Sequence, residues 1–372
     1  MARTQNRNVA IRGVVCAVPG EPLQVAEIGK HFGESDVQKI AKTVGLETVH
    51  RVAPGQTAGD LAVQAAERLL ADLGWERESI DGVIMVTQTP DHLCPATANI
   101  AHGRLGLSSD ALAFDVNQGC SGYVYGLYMG SQFIQSGGLK RFLLLAGDTS
   151  SIGISSEDRS VAMLFGDAGT ATALEFDETA PPISFVLGSD GTGACHLIAP
   201  AGGWRQRPTA ELLQRVDAED GNRRAPFELY MDGLAVFNFT LKRVPTLIRD
   251  VLALHGWQKE EVKAFAFHQA NGFILNMMAK KLKVLPEQVP VNIQRYGNTS
   301  MSSIPLLLGD DLAPVLTSGT PEKMVLAGFG IGLSWAAAAV EMRLEVAQVI
   351  RVPVVAGRSP VEQMQIEHAQ SA

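Results

Sequence analysis

Three residues of complementary chemistry stand at the ends of apolar stretches: Cys120, His268 and Asn298. A thiolate attacks carbonyl carbon, an imidazole moves a proton or donates a hydrogen bond, and an amide steadies an oxyanion. The apolar run Leu112–Val116 leads through Asn117, Gln118 and Gly119 into Cys120. A helical stretch from Tyr123 to about Ser136 follows, closed by Gly137-Gly138. A cysteine at a helix N-terminus meets unpaired amides and the positive end of the macrodipole, and both favour the thiolate. Gly119 and Gly122 allow a tight turn and close approach of a substrate. The plainer alternative is a small buried hydrophobe, a common fate of free cysteine. His268 closes the apolar run Ala264–Phe267, at the edge of a parallel sheet where α/β proteins bind ligands. A satisfied core or surface histidine is its alternative. Tyr296–Ser300 around Asn298 also reads as a plain turn and helix cap. Gly328-Phe329-Gly330-Ile331-Gly332 offers bare amides for an oxyanion, or simply a loop needing positive φ. It fails the dinucleotide fingerprint, because another apolar stretch follows instead of a βαβ unit with a distant acidic residue.

The elements that must position these residues repeat. Gly74–Gln88 has an echo in Gly256–Gln269, each a Gly-Trp turn that feeds a short apolar strand after an amphipathic helix (Leu61–Leu73 and Val244–His255). Phe114–Asn117 before Cys120 is echoed by Val291–Ile293 before Asn298, and Leu144–Gly147 by Val325–Gly328. Three ordered matches, offset by about 180 residues, predict a duplicated α/β chain with halves 1–180 and 181–345. The duplication would bring the turns at Cys120 and Asn298 together near a pseudo-twofold axis. The polar stretch Ala201–Phe227 reads as an inserted loop or cap, and residues 346–372 as an appended tail.

Composition narrows the function further. The 372 residues are 46% hydrophobic and 19% charged, as in a globular protein with a large core. No apolar run reaches the roughly 18–20 residues of a membrane span. The start, Met1–Asn8, has no apolar signal region, so we expect a cytoplasmic protein. Cys16, Cys94, Cys120 and Cys195 are scattered singly, so free thiols and no zinc site are expected. A net charge of −8 argues against nucleic acid as a partner, and against an acidic protein unless a local basic patch receives it.

Asp115–Gly122 (DVNQGCSG), His268–Asn271 (HQAN), Tyr296–Ser300 (YGNTS) and Gly328–Trp335 (GFGIGLSW), in this order, resemble the signatures of the ketoacyl synthase III family. Asp158-Arg159 and Phe165-Gly166-Asp167 resemble a further family segment, and the likeness spans roughly residues 9–342. The resemblance implies a five-layered αβαβα thiolase fold, a homodimer and ping-pong chemistry. Cys120 would take the acyl group from acyl-CoA. His268 and Asn298 would hold the thioester carbonyl of malonyl-acyl carrier protein as it decarboxylates. The amides of Cys120 and Ile331 would form the oxyanion hole, and Asn271 and Gly233 would contact the pantetheine arm. CoA and phosphopantetheine thioesters would be substrates, with no cofactor.

Three positions depart from the family pattern. The tryptophan that stacks on the CoA adenine is absent from Ser35–Lys39. A docking arginine is replaced by Phe273, leaving Lys242, Arg243, Lys280, Lys281 and Lys283 as the basic residues for a carrier protein. A pocket-closing phenylalanine is matched by Cys94, which implies room for an acyl group longer than acetyl. Three rival readings remain. One is an acyltransferase of the same fold acting on an amine or hydroxyl without decarboxylation. A papain-like protease is disfavoured because Cys120 follows a buried strand. A non-catalytic binding module is disfavoured because it would not retain Cys120, His268 and Asn298 together.

Overall fold

Strand alternation explains the architecture. In the strand Val9–Pro19, Val14, Cys16 and Val18 enter one apolar cluster, while Val15 and Ala17 enter another. In Ala264–Phe267 the two alanines and the two phenylalanines divide in the same way. Successive side chains point to opposite faces, so a sheet apolar on both faces must be covered on both.

The computed structural model describes residues 1–354 and meets this demand with five layers. A six-stranded sheet runs in the order Val346–Val352, Val9–Pro19, Ala168–Phe176, Arg141–Asp148, Gly82–Val86, Leu112–Val116. A five-stranded sheet runs Ala2–Asn6, Ile183–Ser189, Ser334–Met342, Glu322–Gly330, Ala264–Phe267. Helices Gly122–Gln135 and Ser303–Gly309 lie between the sheets, in one core that takes residues from both. Helices Ala58–Leu73 and Thr97–Leu105 cover the outer face of the first sheet, and Gly233–His255 and Gly272–Leu282 that of the second.

The internal repeat is visible in the pairing. Gly82–Val86 lies parallel to Arg141–Asp148, and Ala264–Phe267 parallel to Glu322–Gly330. Each longer strand then pairs antiparallel with its next neighbour. Three expectations need correction. Ala2–Asn6 is a strand of the second sheet, where it pairs with Ile183–Ser189. Val346–Val352 is no tail: it pairs in parallel with Val9–Pro19, because its apolar residues pack on the first sheet's cores. The remainder of the expected tail lies outside the described residues. Val291–Ile293 is not a strand like Leu112–Val116; Ile293 begins a short helix, Ile293–Tyr296. The insertion at 201–227 carries a two-residue-strand hairpin. Arg223 and Arg215 pair with Glu157, and Arg224 with Asp158, so it is tied to the first half.

The central helix packs closely because glycines recur at 122, 126 and 130, one helical face apart. A Cβ at Gly122 would lie 2.6 Å from Val86, at Gly126 2.4 Å from Leu144, and at Gly130 2.7 Å from Leu174. The Gly126→Val variant should therefore lose roughly 1–3 kcal/mol of stability through overpacking. Denaturant unfolding of the two proteins measures it, and unchanged stability would refute this account of the helix.

Candidate active site

Cys120, His268 and Asn298 are all buried, with 7%, 1% and 6% of their surface exposed. Cys120 sits in the turn between the strand Leu112–Val116 and the central helix. His268 follows its strand directly, its N–H donating to the Ala327 carbonyl at 2.8 Å. Gln269 braces that corner by donating to Phe267 O and accepting from Asn292 N. Asn298 bridges the halves: its N–H donates to Leu164 O and its carbonyl accepts from Gly166 N. The Phe165-Gly166-Asp167 segment thus earns its place as backbone support.

His268 and Asn298 are linked through Ser300, which is 5% exposed and has a left-handed backbone, φ 52°. Its N–H donates to Asn298 Oδ1 at 2.9 Å, leaving the Asn298 NH₂ to donate elsewhere. Its carbonyl and His268 Nδ1 each lie 2.8 Å from Ser303 Oγ, whose single proton goes to one or the other. Its side chain is among the influences that hold down the Cys120 thiol and the Asp148 carboxyl.

Glycines clear the space. A Cβ at Gly330 would stand 2.8 Å from Cys120 Sγ, and one at Gly328 2.5 Å from the Cys120 carbonyl. Close approach to the cysteine therefore accounts for these glycines better than loop strain alone. The backbone of Ile331 and of Cys120 itself favours the charged form of the thiol. Ser334 donates to the Ile331 carbonyl at 2.7 Å and contacts Ser121 Oγ at 2.7 Å, locking this loop to the start of the central helix.

Electrostatics correct one expectation. Burial pushes the Cys120 thiol up to about 11, with Asp148 adding to the rise, although the Ile331 and Cys120 amides and Ser300 pull it down. At rest the Cys120 thiol is neutral, because desolvation outweighs the groups that favour its charged form. Burial likewise lowers His268 to about 4, so its imidazole is neutral at pH 7. Asp148 is raised to about 6 by burial, against hydrogen bonds from Gln88 N, Ser300, Thr87 and Thr89.

The peripheral residues divide. Asn271 Oδ1 caps the helix Gly272–Leu282 through Phe273 N at 2.8 Å, and Gly233 opens the helix Gly233–His255 in an exposed position. Lys281 Nζ donates to Leu241 O, which places it beside Lys242 where the two outer helices pack. Lys280 is exposed in the same turn. Arg243 stacks on Trp335 at 4.3 Å and, with Lys242, lines a cavity of about 220 Å³ that also contains Asp190 and His196. Phe273 stacks on Phe237 at 5.8 Å. Cys94 is exposed, next to Leu93 at 78%. Ser35–Lys39 holds no aromatic, but Phe32 just before it lies 5.8 Å below the Arg159 guanidinium. Ser300, Ser303 and Asp148 went unremarked as site residues in the sequence; the signal for Asp148 was its place directly after the repeated strand Leu144–Gly147.

A duplicated five-layered sandwich whose reactive side chains gather where the halves meet is the thiolase fold, and the class defined here is that of the condensing enzymes. Residues 114–191 match the family 3-oxoacyl-[acyl-carrier-protein] synthase III, and residues 252–342 its C-terminal counterpart. A β-ketoacyl-[acyl-carrier-protein] synthase III from Streptomyces coelicolor is 36% identical over 91% of this chain and 95% of its own. A crystal structure of a 3-oxoacyl-(acyl-carrier protein) synthase from Burkholderia xenovorans superposes with a TM-score of 0.89 at 41% identity, covering 94% and 99% of the two chains. The priming β-ketosynthase of the R1128 polyketide pathway reaches 0.77 at 27% identity, over 91% of this chain and 97% of its own. The chain belongs to the 3-oxoacyl-[acyl-carrier-protein] synthase III family. It is an acyltransferase that condenses an acyl-CoA with malonyl-acyl carrier protein, with loss of carbon dioxide.

The neutral imidazole has a consequence for stability. Between pH 4 and 6.5 an unfolded His268 binds a proton that the folded one refuses, so its contribution to stability falls on acidification through that window. Relative to His268→Gln, the wild type should lose about 2 kcal/mol between pH 7.5 and 5. Urea unfolding of both proteins at the two pH values reads this difference, and parallel behaviour would show that the imidazole is not held neutral.

Proposed function

We propose that Cys120 carries the acyl group and that His268 and Asn298 act on the malonyl thioester. The observations supporting this assignment most directly are the link of His268 and Asn298 through Ser303 and Ser300 and the space that Gly330 clears at the Cys120 sulfur. Cys120 Sγ attacks the acyl thioester, and the N–H groups of Cys120 and Ile331 stabilise the oxyanion. After the thiol product leaves, the malonyl thioester enters. His268 Nε2 and Asn298 Nδ2 donate to its carbonyl oxygen while carbon dioxide departs and the enolate forms. The enolate carbon attacks the acyl-cysteine, and the 3-oxoacyl thioester is released. The donor role of Nε2 requires its proton there, so Ser303 gives its own to Nδ1 rather than to the Ser300 carbonyl 2.8 Å away. No step assigned to these residues draws on a metal or an organic cofactor.

A homodimer fits the first sheet. Its terminal strand Leu112–Val116 is half-buried at all five positions, and Phe114 rests edge-on against Phe133 of the central helix. A second copy adding to that edge would cover it. The same assembly would bring the exposed Leu93-Cys94-Pro95 of one copy to the other's acyl pocket, where the small Cys94 leaves space for a chain longer than acetyl. Asn271 and Gly233 line the pantetheine route in this reading, and Lys242, Arg243, Lys280 and Lys281 offer the carrier protein its cationic contacts. Arg159 over Phe32 supplies a stacking face for adenine in place of the missing tryptophan. A cytoplasmic setting accords with four free cysteines.

Intact mass after exposure to acyl-CoAs of graded length tests the assignment. The wild type should gain one acyl group, most readily from a medium-chain donor, and Cys120→Ala should gain none. His268→Ala and Asn298→Ala should still acylate but condense about 10²–10³-fold more slowly. Equal labelling of Cys120→Ala would sink the assignment, and acylation by acetyl-CoA alone would sink the pocket argument.

A further inference from the structure

We propose that Tyr296 is a positioning residue for condensation: its hydroxyl, held by Asp310, fixes the turn from which Asn298 reaches the malonyl thioester. This role rests on Asn298 acting on that thioester and adds what holds the amide in place.

The segment from Tyr296 to Asp310 closes on itself. Its helix Ser303–Gly309 has all seven residues buried, and Ile304, Leu306, Leu307 and Leu308 belong to the core between the sheets. Close packing on every side makes the helix a stiff strut. At its start, Ser303 Oγ lies 2.8 Å from His268 Nδ1. At its end, Asp310 accepts a hydrogen bond from the hydroxyl of Tyr296, which stands two residues before Asn298. One short element thus sets the spacing of His268 and Asn298 from its two ends. Arg295 adds a second grip. It pairs with Asp310 at 2.9 Å and Asp311 at 2.6 Å, and its guanidinium lies 5.4 Å over the Tyr296 ring.

The turn needs that grip. Between Tyr296 and Asn298 stands only Gly297, at φ 67°. A glycine leaves the link loose, so Asn298 takes its direction from contacts on either side. On one side its backbone is bonded to Leu164 and Gly166 of the first half. On the other, the Tyr296 carbonyl presses so close to Gly166 that a Cβ there would overlap it. Releasing Tyr296 would let this contact open and Asn298 swing about its two bonds. Packing alone does not call for a hydroxyl here. Tyr296 is 9% exposed and its ring stacks on His50 at 5.9 Å, a role that a phenylalanine would fill. A buried phenol without a partner costs stability, and a carboxylate partner makes its bond a strong one. Burial raises the phenol and Asp310 raises it further, so the hydroxyl keeps its proton and donates. The tie acts on Asn298, so it bears on condensation and not on the acylation of Cys120.

The test uses the full-length enzyme and its variants Tyr296→Phe, Asp310→Ala and Asp310→Asn, beside Asn298→Ala and the double variant with Tyr296→Phe. Intact mass reads single-turnover acylation by acyl-CoA. Carbon dioxide released from malonyl-acyl carrier protein by enzyme acylated in advance reads condensation. Tyr296→Phe should acylate at the wild-type rate but condense about 10-fold more slowly at saturating malonyl-acyl carrier protein. Its half-saturating concentration should move by less than about twofold. Asp310→Ala should share the loss, and Asp310→Asn, which keeps an acceptor, should recover most of it. Added to Asn298→Ala, Tyr296→Phe should slow condensation no further, because the amide it orients is gone. Condensation by Tyr296→Phe at the wild-type rate would overturn the role. So would a loss shared equally by acylation, or an undiminished further loss on top of Asn298→Ala. Asn298→Ala condensing like the wild type would remove the underlying assignment instead, and this role with it.

Discussion

A central layer of two helices squeezed between two sheets governs everything else in this molecule. Helix Gly122–Gln135 has Tyr123, Val124, Leu127 and Ile134 in the shared core, and Ser303–Gly309 adds Ile304, Leu306, Leu307 and Leu308. Neither helix has a solvent face wide enough to carry ordinary surface residues, so both are apolar nearly all round. Their N-terminal ends must then open where the layers meet, since only there does the chain escape the core. Cys120 precedes one of these helices and Asn298 the other. The site's location is a consequence of how the layers stack.

That location sets the electrostatics. A group at the junction of two sheets is stripped of water, and the charged form of any titratable side chain is penalised. The effect is uniform across the site: thiol up, carboxyl up, imidazole down. The resting site therefore holds a neutral thiol and a neutral imidazole, surrounded by amides and hydroxyls whose directions are fixed by backbone. Fixed dipoles in a dry site oppose charge less when it develops on the substrate than on the free protein, because they need not reorganise. The chemistry of this family needs two successive oxyanions and a transient enolate, and the arrangement serves charge that appears only during reaction.

The strands beside Cys120 and His268 were legible because repetition and apolar runs are local signals. Leu112–Val116 and Ala264–Phe267 form strands with the bounds read from the sequence. What escaped was non-local. Ala2–Asn6 and Val346–Val352 look like ordinary termini, and only their partners across the chain make them strands of opposite halves. The protonation state of Cys120 was misread because a helix start is visible in a sequence while the depth of burial is not. Ser303 went unnoticed for a similar reason: its hydroxyl matters through His268, 35 residues away.

The broken symmetry of the repeat carries a final argument. In the first half the residues before the nucleophile form an edge strand, Leu112–Val116, but in the second the equivalent Val291–Ile293 runs into a short helix. An edge strand leaves unpaired N–H and carbonyl groups that invite a partner, while a helical turn satisfies its own. The second sheet therefore ends one strand sooner, at Ala264–Phe267, whose four residues are all buried. A second copy that extended the first sheet would add to its Leu112–Val116 edge. Such an assembly would bury the half-exposed Phe114 face beside the helix that bears Cys120, and the acyl pocket would take its far wall from a neighbour. Divergence of one repeat from the other is then what gives the two sheets different last strands.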